Sequence, residues 1–600
     1  MIVNMKQEFG TQEPSSRLSR IQLPLAAAIL MWLSQPPFSL WPVALVCLLP
    51  LFFVVLQGNR LSRADWFGLW IGGTLYWLAS LQGLRHAHTL MFLGWFALSA
   101  YLATYWLLFV YASRWLRQHC RLPLGLSVAV AWVGQEYLRN YVLTGLSACM
   151  LGHTMAEVPV VMQIAAWTGS FGVSLFVVCV NLLIYRVITS RWMAQRVSKW
   201  CGCMQCCSFD ATQVKRVNNQ IDAVLMIAWI TLVLLVGIWR LDSDENDASD
   251  QIGTFLLVQR SETVEYTQPT SRAIEIYQAY VRETLDAIAE CGEPVNAVIW
   301  PESMYTAGNP WMEIAVDEVH ADSATESPLA YSAAVAGLSP MDLRRAVAES
   351  QNYFQHRSQF LTEAVNQISI ENEPIDFLVG CGVLRYAEQP EVYCGLVQFG
   401  SQGKVKQWYG KNHLVMFGEY IPIISAFPFL QSILPPGMGL NRGQAPEPMQ
   451  VGTANLLPNI CIETAVEHVA VNHLNTLRGR GQTADALVTV TNDGWFDQSS
   501  VLEHHLRCAQ FVAVAAGLPI MSSANSGPTA WIDSYGRIQK RLELGTNGYL
   551  LAKPTRPAAE TFYSRFGDWP ALICGLLTTL PLMQGIVIVI RRKRSAATSG

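Results

Sequence analysis

The stretch LLPNICIETAVEHV, residues 456–469, places a cysteine directly after an apolar run. Cys461 ends the run, and Glu463 follows two residues later. A β-strand that ends in such residues is typical of α/β folds, which carry their chemistry on the loops after strands. Most buried cysteines are inert, so Cys461 alone does not identify a nucleophile. A base and a positive charge must come from elsewhere in the chain.

Complementary side chains follow three other apolar runs. AVIWPESMY (297–305) carries Glu302, WYGKNHLVMFGEYIP (408–422) carries Lys411 and Glu419, and VTVTNDGWFDQ (488–498) carries Asn492 and Asp493. A carboxylate can take the proton of a thiol, and an ammonium group can stabilise both the thiolate and an oxyanion. The backbone N–H after the cysteine can be a second oxyanion donor. This set therefore suits acyl transfer through a thioester.

The composition predicts a membrane protein with a large water-soluble part. Hydrophobic residues make up 51% of the 600 residues and charged residues 14%, and the mean hydropathy is +0.24. The net charge is −4 and no basic tract argues for a nucleic-acid partner. The soluble part shows no metal or nucleotide motif, so neither a metal nor a cofactor is expected.

Eight apolar stretches are candidate membrane spans, which need about 20 residues each. Seven would form a membrane domain over 21–240, and one would lie at 569–590, after an extramembrane domain at 241–568. The first is short and ends at Pro36 and Pro37, so it can be tilted, broken or paired with the second. The stretches are 21–34, 38–57, 66–83, 89–112, 122–146, 161–187, 221–240 and 569–590.

Lysine and arginine in the short loops predict the orientation, because basic loops stay in the cytoplasm. With eight spans, almost all of these lysine and arginine residues fall on one side of the membrane, and Arg85 is the exception. The tails at 1–20 and 591–600 are then cytoplasmic, and the domain at 241–568 lies on the outer face of a bacterial inner membrane. The basic residues are Arg17, Arg20, Arg60, Arg63, Arg114, Arg117, Arg121, Arg191, Arg196, Lys199, Lys215, Arg216 and Arg591 to Arg594.

Two polar features of the membrane part have alternative interpretations. CGCMQCC, from Cys201 to Cys207, is either a metal site or, as its lack of paired C-x-x-C arms favours, a reduced and loosely structured insertion. Glu136 and Arg139 lie three residues apart on one helix face. They are either functional charges at membrane depth or a structural ion pair.

The segment 241–568 alternates strands and helices, which predicts one α/β domain with layered sheets. The acidic stretch 242–250 reads as a linker, and 318–350 as a surface insertion. Cysteines 291, 381, 394 and 508 can pair in an oxidising compartment, but their spacing selects no bridge. The predicted strands are 252–258, 296–300, 376–383, 392–399, 485–491 and 519–524, and the predicted helices are 270–290, 342–368 and 501–516.

At these residues the sequence resembles the nitrilase superfamily and, within it, the integral-membrane apolipoprotein N-acyltransferases. The resemblance rests on KNHLVMFGEYIP, PNICIET, TNDGWF, the NSG of SSANSGPTAWID, and TFYSRFGDWP before the last span. It covers about 21–590. It implies a helical membrane domain of about eight spans joined to a nitrilase-like αββα sandwich.

The resemblance also implies roles for the matching residues. Glu302 would be the general base and acid, Lys411 the oxyanion stabiliser and Cys461 the nucleophile. Glu419 and Glu463 match further active-site glutamates of the family, and Glu419 would orient Lys411 or relay protons. The implied reaction moves an acyl chain from a phospholipid, typically phosphatidylethanolamine, to the diacylglyceryl N-terminal cysteine of an apolipoprotein. A monomer is expected.

The chain departs from the family's usual residues at several positions, among them Met416, Ile462, Val512 and Ala515. Two rival functions follow from the residues. A membrane-tethered amidase would let water attack the thioester, whereas a transferase must exclude water. A non-catalytic paralogue would bind lipoproteins without turning them over, and retention of all five polar site residues argues against it.

Overall fold

The computed structural model describes the chain in segments with gaps between them. The cysteine cluster at 201–207, the tail residues before Ser19 and the part of the predicted insertion between 318 and 335 lie outside the described residues. The described residues are 19–56, 60–87, 91–190, 220–242, 250–264, 269–315, 336–370, 374–416, 418–420, 439–557 and 559–598.

The N-terminal third is helical, and one further long helix closes the chain. Ser62 caps one helix by accepting from the Asp65 N–H, while the Asp65 carboxylate accepts from the Ser62 N–H. The helices are α1 (Ser19–Leu33), α2 (Trp41–Ala44), α3 (Leu49–Leu56), α4 (Arg63–Ser80), α5 (Met91–Leu102), α6 (Thr104–His119), α7 (Leu124–Tyr141), α8 (Pro159–Met162), α9 (Ala165–Thr168), α10 (Ser170–Ile188) and α11 (Gln220–Asp242), with α17 (Trp569–Thr598) at the end.

Within the described residues, three helical stretches are long and apolar enough to cross a membrane. They are Met91–His119, Ser170–Ile188 and Gln220–Asp242. Shorter apolar helices occupy Ile21–Leu33, Trp41–Leu56 and Trp569–Gln584. The apolar runs predicted as single spans at 38–57 and 161–187 are divided into separate helices, and Gly169, at φ +61°, ends the piece before α10. A continuous apolar run therefore overstates the length of continuous helix.

In its described residues, the extramembrane part contains thirteen strands and five α-helices. All six predicted strands and all three predicted helices occur, with small shifts at their ends. The strands are β1 (Phe255–Gln259), β2 (Ala297–Trp300), β3 (Trp311–Ile314), β4 (Asp376–Tyr386), β5 (Pro390–Phe399), β6 (Val405–Gly410), β7 (Met449–Val451), β8 (Ala454–Ile460), β9 (Ala486–Thr491), β10 (Ile520–Ala524), β11 (Ala530–Ile532), β12 (Ile538–Arg541) and β13 (Gly548–Ala552). The helices are α12 (Thr270–Glu290), α13 (Pro340–Ile368), α14 (Glu467–Gly479), α15 (Ser500–Ala516) and α16 (Phe562–Phe566).

These strands form two mixed sheets. The first has the order β13-β1-β2-β4-β5-β6, with β3 beside β4, and the second has the order β12-β11-β10-β9-β8-β7. β1, β2 and β4 run parallel in the first sheet, as do β8, β9 and β10 in the second. The parallel strands of each sheet thus end at a common edge, where the loops that follow them meet.

Three apolar clusters show that the domain has four layers. Phe255 and Leu378 of the first sheet share one cluster with Leu456 and Val488 of the second. The outer face of the first sheet packs on α12 and α13, and the outer face of the second packs on α14 and α15. The predicted αββα sandwich is confirmed.

Helix α15 lies between the second sheet and the membrane domain. Val512 packs into the cluster of that sheet, and Phe511 packs into the core of the membrane helices. Ala515 contacts Val471 and Tyr563. The apolar residues at 512 and 515 are therefore buried between layers.

Polar contacts join the two domains along the same helix. The Arg507 guanidinium donates to the His153 carbonyl at 3.1 Å and pairs with Glu157 at 2.8 Å. The Cys149 thiol lies 3.4 Å from His504 Nδ1. The extramembrane domain is thus held against the membrane helices by polar contacts as well as by apolar packing.

The side chains of Glu136 and Arg139 each form a hydrogen bond to the backbone of the segment that follows α7. Glu136 Oε1 accepts from the Leu151 N–H at 2.8 Å, and Arg139 Nη1 donates to the Ala148 carbonyl at 2.7 Å. The Arg139 guanidinium also lies 5.0 Å from the Trp77 ring centre. Both side chains therefore fix the irregular chain that follows α7, which favours the structural interpretation.

Candidate active site

The candidate residues lie where strands of both sheets end. Lys411 directly follows β6, Cys461 directly follows β8, and Asn492 directly follows β9. Glu302 follows β2 after a single proline. The structure brings together the side chains that the sequence places at four separate strand ends.

Lys411 is the buried centre of this group, with 1% of the residue exposed. Its Nζ lies 2.6 Å from Glu419 Oε1 and 3.7 Å from Glu302 Oε1. Burial lowers the pKa of the ammonium group, but the two carboxylates outweigh it and hold the pKa well above its ordinary value. Lys411 is therefore a fixed positive charge at any physiological pH.

Glu302 is held so that one oxygen faces a thiol. Its Oε2 accepts from the Asn492 N–H at 2.9 Å. Its Oε1 accepts from the Cys394 thiol at 3.1 Å. The carboxylate thus has a fixed orientation beside Lys411, as a proton acceptor requires.

Cys461 begins a single 3₁₀ turn, Cys461–Ala465, and has a backbone φ of +50°. A non-glycine residue rarely adopts this left-handed conformation, and at functional sites the surrounding structure enforces it. Burial raises the pKa of the thiol well above its ordinary value, and the charge of Lys411 opposes that rise. Cys461 therefore rests as a neutral thiol, which would need a base to react as a nucleophile.

Glu463 lies two residues after Cys461 and is fully buried. Its Oε1 accepts from the Tyr409 hydroxyl at 2.8 Å and from the backbone N–H groups of Asn412 and His413 at 2.6 and 2.9 Å. Its Oε2 accepts from the Ile460 N–H at 2.7 Å. These four bonds tie the chain after Lys411 to the strand end before Cys461, so Glu463 fixes the distance between the two.

We expect Glu463→Gln to lower the thermal midpoint and to remove part of its pH dependence. Burial raises the pKa of Glu463 from 4.5 to about 7, against the four hydrogen bonds that lower it. Because the folded state then holds this proton more tightly than the unfolded state, stability falls as pH rises from 4.5 through about 7. Glutamine does not titrate, and its NH₂ group leaves at least one buried donor unpaired, at about 1–3 kcal/mol.

Thermal unfolding in detergent from pH 4 to 8 would measure both effects. Glu349→Gln is the matched control, because that carboxylate is exposed on α13. Equal midpoints for Glu463→Gln and the parent at every pH would contradict the role of Glu463 in joining the two chain segments.

Three site residues gave only a weak signal in the sequence. Cys394 is among the cysteines considered for disulfides, but it is a free thiol bonded to Glu302. Asp493 lies 3.5 Å from His505 Nδ1, and His505 Nε2 lies 3.1 Å from the Cys461 carbonyl oxygen. No spacing rule joins a residue of α15 to the turn after β8, so the position of His505 becomes visible only in three dimensions.

Two family models match the chain. One, the apolipoprotein N-acyltransferase N-terminal domain, matches residues 27–183, and the other, carbon-nitrogen hydrolase, matches residues 268–561. An apolipoprotein N-acyltransferase from Rhodopirellula baltica is 40% identical over 588 residues, which is 95% of this chain and 98% of that relative. The chain belongs to the apolipoprotein N-acyltransferase family.

A second relative is also an apolipoprotein N-acyltransferase. It comes from Azotobacter vinelandii and is 27% identical over 594 residues, 96% of each chain. Among solved structures, a carbon-nitrogen hydrolase from Helicobacter pylori covers 50% of this chain and 88% of its own, at 13% identity and a TM-score of 0.32. An amidase from Nesterenkonia covers 54% of this chain and 98% of its own, at 13% identity and a TM-score of 0.33. Family membership rests on the sequence matches.

Proposed function

We propose that this protein N-acylates the diacylglyceryl N-terminal cysteine of apolipoproteins through a thioester on Cys461. The observation that carries the proposal is the pairing of Lys411 with Glu302, 3.7 Å apart, at the strand ends next to that cysteine. Family membership gives the reaction class, and the residues give its steps.

In the first half-reaction, the Glu302 carboxylate takes the Cys461 proton as the sulfur attacks the ester carbonyl of a phospholipid. Lys411 Nζ and the Ile462 N–H stabilise the oxyanion that forms. The ester C–O bond breaks, the leaving oxygen takes the proton from Glu302, and a lysophospholipid departs. Glu419 acts by keeping Lys411 charged and in place, 2.6 Å away.

In the second half-reaction, the α-amine of the lipoprotein cysteine attacks the thioester carbonyl. Glu302 takes a proton from the amine, and the C–S bond breaks. The sulfur recovers the proton, and the product is an amide. No step requires a metal or an organic cofactor. Phosphatidylethanolamine is the proposed donor.

The proposed setting is the bacterial inner membrane, with eight spans and the catalytic domain on the outer face. Three apolar helical stretches of sufficient length support the membrane mount, and the basic loops support the orientation. Both termini are then cytoplasmic, and the protein acts as a monomer. Both substrates keep their acyl chains in the bilayer, so the site opens towards lipid.

The test is the intact mass of the purified protein after incubation with phosphatidylethanolamine. We expect a gain of one acyl chain that hydroxylamine removes, and peptide mapping should place it on Cys461 and not on Cys394. A diacylated lipopeptide should then discharge the acyl group as an amide. Steady release of free fatty acid would favour the amidase instead, and no adduct on folded protein would favour the non-catalytic paralogue.

A further inference from the structure

The peptide group that joins Cys461 to Ile462 has its N–H in the proposed mechanism and its carbonyl oxygen in contact with His505. Its N–H belongs to the residue after the nucleophile, where the proposed mechanism needs a second oxyanion donor. Its carbonyl oxygen lies 3.1 Å from His505 Nε2. A hydrogen bond to the carbonyl fixes the plane of the peptide and therefore the direction of its N–H. It also polarises the peptide, which makes the N–H a stronger donor.

His505 is itself held by a carboxylate. Its Nδ1 lies 3.5 Å from Asp493 Oδ1, and only 4% of Asp493 is exposed. A ring that faces an oxygen on each side is best satisfied when both nitrogens carry protons. Burial lowers the pKa of His505, but Asp493 and the Cys461 carbonyl outweigh it and raise the pKa above its ordinary value.

Among the described residues, the other charged groups near the ring are Lys411 and neighbours on α15. Lys411 opposes the positive charge from the end of β6. On α15, the neighbouring polar side chains have partners elsewhere: Glu503 pairs with Arg541, His504 contacts Cys149, and Arg507 pairs with Glu157. Asp493 is therefore the carboxylate in direct contact with the ring.

We propose that His505, held by Asp493, is a positioning residue that aims and strengthens the Ile462 N–H as the second oxyanion donor. The same bond supports Cys461 in its left-handed conformation, φ +50°. The inference rests on the proposed function, because it assigns His505 a role in forming the thioester.

The variants His505→Gln, His505→Ala and Asp493→Asn test the proposal. We expect thioester formation from phosphatidylethanolamine to slow by about tenfold or more, below the roughly 10²–10³-fold cost of removing a donor outright. KM for the phospholipid should change little, since the oxyanion forms only after binding. Glutamine can still donate to the carbonyl, so His505→Gln should retain more activity than His505→Ala.

The pH profile separates positioning from a merely structural role. As pH rises, the parent should lose rate when His505 gives up a proton, because the neutral ring turns a lone pair towards Asp493 or towards the carbonyl. His505→Gln cannot titrate, so that loss should disappear. His356→Gln, an exposed position on α13, should keep the rate and profile of the parent.

The outcomes distinguish this inference from the proposed function. If the parent forms no thioester, the proposed function fails first. If the parent forms it and folded His505→Gln and His505→Ala form it equally fast, the role of His505 is overturned. The same conclusion follows if His505→Gln keeps the alkaline loss of the parent. Thermal midpoints of all three variants show which of them are folded.

Discussion

Cys461→Ala is expected to lower lipoprotein N-acylation to background, a loss of about 10⁴-fold or more. The methyl group cannot form a thioester, and the other thiol of the site, Cys394, is bonded to Glu302 and buried. Burial raises the pKa of both thiols well above their ordinary value, but Cys394 is buried whereas Cys461 is partly exposed, so Cys394 is the less accessible of the two. The measurement is the mass of a diacylated lipopeptide after incubation with enzyme and phospholipid.

Cys461→Ser should also be close to inactive. A serine hydroxyl is a weak nucleophile unless a strong base removes its proton. In the proposed mechanism, Glu302 takes its proton from a thiol and not from a hydroxyl. The control is Cys120→Ser, which changes an exposed thiol beside α6 and should leave the rate unchanged. Turnover by Cys461→Ala within tenfold of the parent would exclude Cys461 as the nucleophile.

Lys411→Met is expected to reduce both activity and stability. Loss of the ammonium group removes an oxyanion donor, which costs about 10²–10³-fold in rate. It also leaves the carboxylates of Glu302 and Glu419 next to each other in a buried site without their shared cation. Breaking a buried pair in this way costs about 3–5 kcal/mol. Single-turnover acylation and thermal unfolding measure the two losses separately.

A double variant distinguishes the two effects. Lys411→Met with Glu419→Gln removes one of the two unpaired carboxylates, so the thermal midpoint should partly recover. The acylation rate should stay low, because the oxyanion donor is still missing. Recovery of both quantities together would mean that Lys411 acts only as structural support. A single Lys411→Met variant within threefold of the parent rate would rule out both roles.

The sequence predicted the layers of the catalytic domain and the meeting of Glu302, Lys411, Cys461 and Glu419. Each of these residues lies on or near the end of an apolar run, and parallel strands bring such ends to one edge. Glu463 was also predicted to support the site, but the pattern could not show that it binds the chain after Lys411. That bond joins residues about fifty positions apart, and no local pattern encodes it.

The sequence predicted the membrane part less well, for a physical reason. An apolar run indicates that a segment lies in an apolar environment. Whether that segment is one continuous helix also depends on its local backbone geometry. Glycine at 169 and the divided helices between 159 and 188 interrupt a run that reads as one span. The site thiol Cys394 and the histidine at 505 were missed for a related reason, since their partners come from other strands and turns.

The pairing of β1 with β13 has a consequence for the order of biosynthesis. Residues 255–259, near the start of the extramembrane segment, bond in antiparallel register to residues 548–552, near its end. Until the later strand has been synthesised, the earlier one presents an open edge that can join foreign strands. The ribosome must therefore synthesise almost the whole polypeptide before the first sheet can close. During that interval, chaperones and proteases meet a chain whose first sheet is incomplete.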